Sequence, residues 1–154
     1  MEQWTMTAIG RVRGGRTVVE DDNWGAVTSR IELDQAVVDG SATRGLDGFS
    51  HVEVVFVLDR VEEESVCRGD RHPRGRTDWP RVGILAQRAK DRPNRIGITT
   101  CDLVGAGPGW IDVQGLDAVD GTPVLDVKPF LREFAPRGPV TEPVWATELM
   151  AGYW

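Results

Sequence analysis

The residue types best suited to chemistry sit in two short segments. They are Asp91-Arg92-Pro93-Asn94-Arg95-Ile96-Gly97-Ile98 and, further on, Asp120-Gly121-Thr122-Pro123-Val124-Leu125-Asp126-Val127-Lys128-Pro129. Pro93 fixes its own φ and biases Arg92 towards extended backbone, while Asn94 tolerates left-handed geometry. Arg92 and Arg95 are therefore expected at the entrance of a strand. A guanidinium held there binds a carboxylate or phosphate through two parallel hydrogen bonds. The competing reading is a turn with exposed arginines. In the second segment Asp120-Gly121 signals a tight turn, and Thr122-Pro123 forces an extended exit. Asp126 and Lys128 alternate with Val127, so they share one face of a strand. They form either a polar pocket wall or a surface ion pair worth under ~1 kcal/mol.

Other reactive residues are sparse. The two histidines, His51 and His72, and the two cysteines, Cys67 and Cys101, fit no metal-ligand spacing, so no metal is expected. The cysteines read as reduced thiols of a cytoplasmic protein. His72, in Arg71-His72-Pro73-Arg74-Gly75-Arg76, reads as a polar loop residue. Ser50-His51 lacks a visible third triad member, and no Gly-x-Ser-x-Gly elbow occurs, so no hydrolase is expected. Trp24-Gly25 could stack on a planar ring, although most of the six tryptophans are expected in the core. Gly105-Ala106-Gly107-Pro108-Gly109-Trp110 begins like a dinucleotide fingerprint. It has Trp where the third Gly belongs and Pro-Gly where a helix should start, so it reads as a hairpin.

Charge narrows the ligand. The chain of 154 residues carries a formal −6, which argues against generic nucleic-acid binding. Yet Arg68 to Arg95 holds eight Arg and one Lys against three Asp, a local +6. Such a stripe on an acidic body suits a specific anionic ligand or a focused RNA contact, or else is a solvated loop. Length predicts a single domain over residues 1–154. No apolar run approaches the ~20 residues of a membrane span, and no secretory signal is visible at Met1-Glu2-Gln3-Trp4.

The elements that must position these residues are mainly β. Strands are expected at Thr5 to Val12, Ala26 to Leu33, His51 to Leu58, Val82 to Ala86, Ile98 to Val104, Trp110 to Gln114 and Val124 to Val127. Gly115 to Val119 reads as a bulged continuation. Regular Gly, Pro, Asp and Asn punctuation indicates a small antiparallel barrel or sandwich. Short helices are expected at Asp59 to Val66 and at the C-terminus, where Thr141 caps, Pro143 occupies the first turn, and Trp145, Leu149 and Trp154 lie on the barrel.

Taken together, the chain resembles the TsaA-like family of β-barrel S-adenosylmethionine-dependent methyltransferases, typified by enzymes acting on N6-threonylcarbamoyladenosine in tRNA. The resemblance is carried by Ile9-Gly10-Arg11-Val12, Arg44-Gly45-Leu46, Gly48-Phe49-Ser50-His51, His72-Pro73-Arg74, Val82 to Arg88, Arg92-Pro93-Asn94 and Asp120 to Pro129. It implies a small barrel that dimerises, with S-adenosyl-L-methionine bound near the subunit interface. The implied donor contacts are Trp24, Gly25, Ala26, Asp59, Arg60, Arg88, Arg92, Leu103, Asp120, Gly121, Thr122 and Pro123. Asp126 and Asp120 are the candidates for a general base, with Lys128 beside Asp126.

The chain departs from the family pattern at three places. Arg95 stands where the family has proline, Gln87 where it has threonine, and Asp59-Arg60 where it often has His-Gln. The chain also ends soon after the barrel. These departures bear on the acceptor. The expected acceptor is the modified adenosine beside the tRNA anticodon; the alternatives are a small metabolite, or a non-catalytic module that binds the donor or RNA.

Overall fold

The computed structural model describes residues 2–154. Six strands close into an antiparallel barrel: β1 (Gly10–Arg13), β2 (Thr28–Leu33), β3 (His51–Val57), β6 (Ile96–Gly107), β7 (Trp110–Gln114) and β8 (Pro123–Pro129). Their order around the barrel is β1-β2-β7-β6-β3-β8. A two-stranded ribbon, β4 (Asp70–Arg71) with β5 (Val82–Gly83), stands outside it. One α-helix, α1 (Val144–Met150), lies near the C-terminus. The mainly-β architecture thus matches the reading from sequence. Among the described residues, no helix is long and apolar enough to cross a membrane.

Alternation builds the core. In β2, Ser29, Ile31 and Leu33 turn inward, and in β3 Val52, Val54 and Phe56 do the same. With Val12, Cys101, Ile111, Val113 and Val124 they fill the barrel. Each such aliphatic or aromatic side chain contributes about 1.5–3 kcal/mol on burial. Gly97 lets Phe56 fit: a Cβ there would lie 2.3 Å from the Phe56 ring. Burial among these apolar neighbours pushes the Cys101 thiol up to about 12, helped by Asp117 and Asp102. Cys67 is half-buried, and both thiols are free.

Several local expectations are corrected. The first strand is only Gly10–Arg13. Val82–Gly83 pairs for two residues, then Ile84–Ala86 coils into a 3-10 turn that buries Ile84. The acidic stretch after Asp59 holds just a 3-10 turn, Glu63–Ser65, because successive Glu62, Glu63 and Glu64 supply no apolar helical face. Residues 115–119 are not a strand; Leu116, Ala118 and Val119 are buried there. At α1 the cap position is Pro143 with no side-chain cap bond, so Thr141 does not cap. Trp145 and Leu149 are half-buried, and Trp154 is 59% exposed. The glycine-rich stretch is a hairpin in which Gly109 adopts φ 84°.

Candidate functional site

The antiparallel order dictates which segments share an end of the barrel. β3 and β1 finish at the end where β2, β6 and β8 begin, as the pairings Val57↔Ile96, Phe56↔Val124 and Arg13↔Arg30 show. That rim therefore collects the turn before β2 (Trp24 to Ala26), the turn after β3 (Asp59-Arg60), the turn before β6 (Arg92 to Arg95) and the turn before β8 (Asp120 to Thr122). Four segments far apart in the chain become neighbours through topology alone.

Hydrogen bonds fix the neighbours. The connector after β1, residues 14–17, lies at their centre. Gly14 N donates to Asp120 Oδ1 at 2.8 Å, and Asp120 N donates to Arg16 O at 2.7 Å. The Arg16 guanidinium donates to Asp22 O (2.6 Å) and Asn23 O (2.5 Å) and lies 4.5 Å from the Trp24 ring centroid. Trp24 is only 3% exposed, so this cation covers a ring built into the structure. Arg60 reaches across from β3, donating to Thr17 O and Asp120 O, both at 2.8 Å. Arg11 donates to Gly121 O at 2.9 Å, and Gly121 sits at φ 88°, a backbone that glycine tolerates best.

The Arg92–Arg95 turn joins the same ring of contacts. Leu58 N donates to Arg95 O, and Arg95 Nη1 donates to Val61 O, both at 2.8 Å. Arg92 Nη1 donates to Gln87 O at 2.9 Å. Asn94 and Arg95 both have positive φ, 65° and 53°. Two successive left-handed non-glycine residues cost energy and persist where the surroundings hold them. Arg88 donates to Ile98 O at 2.5 Å, two residues into β6.

The C-terminal segment closes one side of the rim. Trp24 N donates to Tyr153 O (2.7 Å) and Asn23 N to Gly152 O (2.9 Å). A Cβ on Gly25 would lie 2.8 Å from the Trp154 carbonyl carbon, so glycine is what permits this approach. The Asp117 carboxylate accepts from the Thr99 hydroxyl inside the barrel and from the Tyr153 hydroxyl on the tail. Burial, then Asp117, push the Tyr153 phenol far above its ordinary value, keeping it a donor. Neither Arg16 nor the Asp117–Thr99–Tyr153 cluster was singled out from sequence. Arg16 acts mainly through main-chain carbonyls, which leave no trace in residue spacing. The pair Gly14-Gly15 was the one available signal.

Leu103, Asp126 and Lys128 lie off the rim. Leu103 is on β6, its N–H bonded to Ser50 O at 2.9 Å and its side chain against the core. Asp126 and Lys128 form an ion pair at 2.6 Å on the outer face of β8, opposite Val55 and Glu53. Asp120 is held by Gly14 N, as above. Ser29, at the start of β2, has a buried hydroxyl without a hydrogen-bond partner.

The +6 stretch divides in two. Arg68, Arg71, Arg74, Arg76 and Arg81 each pair with a carboxylate: Glu63, Asp91, Asp22, Asp78 and Asp70. Among the described residues, no carboxylate pairs with Arg88, Lys90, Arg92 or Arg95. The uncompensated charge is thus concentrated beside the rim.

The chain is 37% identical over 100 residues to a human tRNA (adenine(37)-N6)-methyltransferase, covering 65% of this chain and 22% of that protein. It is 35% identical over 106 residues to a putative S-adenosylmethionine-dependent methyltransferase, RcsF, of Pseudomonas aeruginosa, covering 69% and 44%. The chain therefore spans less than half the length of these relatives. The crystal structure of TrmO from Pseudomonas aeruginosa superposes with a TM-score of 0.74 at 24% identity, covering 93% of this chain and 63% of that one, which shows a shared fold. Residues 21–135 match the family described as the tRNA-methyltransferase O N-terminal domain, and the chain belongs to that family.

Proposed function

We propose that this chain is an S-adenosylmethionine-dependent methyltransferase acting on tRNA, at N6 of the threonylcarbamoyladenosine beside the anticodon. The observation that carries the reading is the rim. Trp24 to Ala26, Asp59-Arg60, Arg92 and Asp120 to Pro123 meet at one end of the barrel, next to cations that lack carboxylate partners. The donor set fits the methyl donor. Its amino-acid carboxylate suits an arginine such as Arg92 or Arg88, and its sulfonium suits carboxylates and carbonyl oxygens. The orphan hydroxyl of Ser29 adds a polar group in search of a partner at the same end. When bound, the donor supplies an electrophilic methyl group. The chain's part is to bind, orient and exclude water, and positioning carries much of the rate of an in-line displacement.

The tRNA acceptor rests on the names of the relatives and on the unpaired Arg88, Lys90, Arg92 and Arg95. The protein is read as a single-domain cytoplasmic homodimer, with Leu103, which lies off the rim, as a donor contact near the interface. The test supplies labelled donor to purified protein with tRNA, and separately with a tRNA-free metabolite extract. Label in tRNA is the expected result. Label only in the extract would replace tRNA with a small-molecule acceptor, for which Arg95 provides an extra cation. Tight donor binding with no transfer to any fraction would reduce the chain to a binding module.

A further inference from the structure

Three tryptophans of this chain have a ring face covered by an arginine. Arg16 lies 4.5 Å from the Trp24 centroid, Arg30 lies 4.5 Å from that of Trp110, and Arg76 lies 3.9 Å from that of Trp79. Among the described residues, no such cation covers Trp154, which is 59% exposed. Its aromatic neighbour is Tyr153, with ring centroids 4.9 Å apart and planes at 83°. An edge-on contact of this kind leaves an indole face open. Exposure alone carries little, since single apolar side chains are common on surfaces. What sets Trp154 apart is that it is held in place, and where.

Trp154 is held at the rim. The two residues before it are bound through the main chain: Asn23 N donates to Gly152 O at 2.9 Å, and Trp24 N donates to Tyr153 O at 2.7 Å. Trp154 itself packs on Gly25, where a Cβ would lie 2.8 Å from its carbonyl carbon and 3.5 Å from its own Cβ. The Tyr153 hydroxyl donates to Asp117, which also accepts from Thr99. Glu148 on α1 adds a further tie, accepting from Trp79 Nε1 at 2.7 Å. Trp154 is thus joined directly to the Trp24–Ala26 turn. Through Tyr153 and Asp117 it is joined to the connector that carries Asp120 to Pro123. Both are segments proposed above to hold the methyl donor.

An uncompensated cation stands close by. Burial and Asp117 raise the Tyr153 phenol, and the Arg88 guanidinium opposes them, which places its charge near that ring. Arg88 donates to a main-chain carbonyl and has no carboxylate partner among the described residues. An open aromatic face near an unpaired guanidinium suits single-stranded nucleic acid: the face takes a base, and the cation takes a phosphate. The arrangement suits the donor less well, because small-molecule sites are concave and bury most of the ligand. A ring this open lines no such recess.

We propose that Trp154 is the stacking platform for an unpaired base of the RNA acceptor. This rests on the methyltransferase reading above and deepens it. Trp154 lies beyond residues 21–135, the part of the chain that matches the family. Its task is to present single-stranded RNA to the rim. Every base has a π-face, so the platform selects little by sequence. It favours a splayed-out nucleotide over one inside a duplex, whose faces are already stacked.

The test compares Trp154→Ala and Trp154→Phe in the full chain, by steady-state methyl transfer to purified tRNA and by calorimetry with S-adenosylmethionine. Alanine keeps the main chain and Cβ that touch Gly25 and removes the indole alone. Trp154→Ala should raise the KM for tRNA about tenfold, the loss expected for one stacked base, with a smaller change in kcat. Donor affinity and melting temperature should be unchanged. Trp154→Phe should bring KM back to within about threefold of the wild type, because a phenyl ring still stacks. Added tRNA should quench tryptophan emission more in the wild type than in Trp154→Phe. An unchanged KM in Trp154→Ala would overturn the platform while leaving the methyltransferase reading intact. Weaker donor binding at unchanged KM would overturn it too, by giving the ring to the donor's adenine. A wild-type protein that binds donor and methylates no tRNA would overturn the methyltransferase reading, and the platform with it.

Discussion

The two halves of the arginine-rich stretch have similar composition and opposite fates. In the first half, Arg68 to Arg81, every guanidinium meets a carboxylate. Arg74 holds Asp22 at 2.6 Å, which anchors the turn before Trp24. Arg76 stacks 3.9 Å above Trp79, whose indole N–H donates to Glu148 on α1 at 2.7 Å. These cations build scaffold. In the second half, Arg88, Arg92 and Arg95 donate only to the carbonyls of Ile98, Gln87 and Val61. A carbonyl fixes a guanidinium without cancelling its charge. These cations are oriented yet still available to an anion, and they stand where the four turns meet. Net charge along a sequence overstates the first half and understates the second.

The comparison breaks most readily at Arg92. Arg92→Ala should weaken donor binding by about 1.5–3 kcal/mol, at least tenfold in calorimetry, the usual worth of a hydrogen bond to a charged group. Arg81→Ala, from the neutralised half, should leave affinity unchanged. Equal losses in the two variants would erase the distinction between the halves.

A second experiment separates the rim's shape from its charge. Gly25→Ala forces a Cβ against the Trp154 backbone and should cost about 1–3 kcal/mol, a melting shift of about 2–12 °C. No cation changes, so any loss of donor binding would come from moving the tail and the Trp24 turn. A melting temperature like that of the wild type would mean that the tail is not seated on Gly25.

The salt dependence of RNA binding sharpens the contrast further. Arg88→Gln and Arg95→Gln should each reduce the slope of log affinity against log salt by about 0.7–0.9, the release expected per neutralised phosphate. Arg76→Gln and Arg81→Gln should leave the slope alone. A uniform change across all four would favour a diffuse field over a focused contact.

The smallest effect concerns an ion pair that joins the first half to the rim. Arg74 holds the Asp22 carboxyl below its ordinary value. A depressed carboxylate contributes stability that is present above its unfolded value and lost as pH falls through its folded one. Arg74→Gln should therefore flatten the acid side of the stability–pH curve, by under ~1 kcal/mol because the pair is partly exposed. Parallel acid limbs in variant and wild type would show that the pair contributes nothing measurable.

Much of the barrel could be read from the sequence because alternation survives in β2, β7 and β8, and β3 is a nearly continuous β-branched and aromatic run. The rim turns were also legible, since Arg92-Pro93-Asn94 and Asp120-Gly121-Thr122-Pro123 carry strong local backbone preferences. What joined them was not. The connector at residues 14–17 binds through carbonyls and amides, which every residue possesses. The Arg74–Asp22 pair closes across β2, β3 and β4, so no spacing rule connects its partners. Asp102 stayed invisible as a partner of His51 because only the β3–β6 register brings the two together. The acidic run after Asp59 misled for a different reason: its charges suggested an exposed helix, but with no apolar stripe to dock, only one tight turn formed.

The central claim is that one end of this barrel, and not its outer wall, holds the methyl donor. Titrating S-adenosylmethionine into nitrogen-15-labelled protein tests it directly. Large amide shifts should appear at Gly25 and Ala26, at Asp59 and Arg60, at Arg92, and at Asp120 to Thr122, with little change at Asp126 and Lys128. Shifts centred on Asp126 and Lys128, with those rim amides undisturbed, would contradict it.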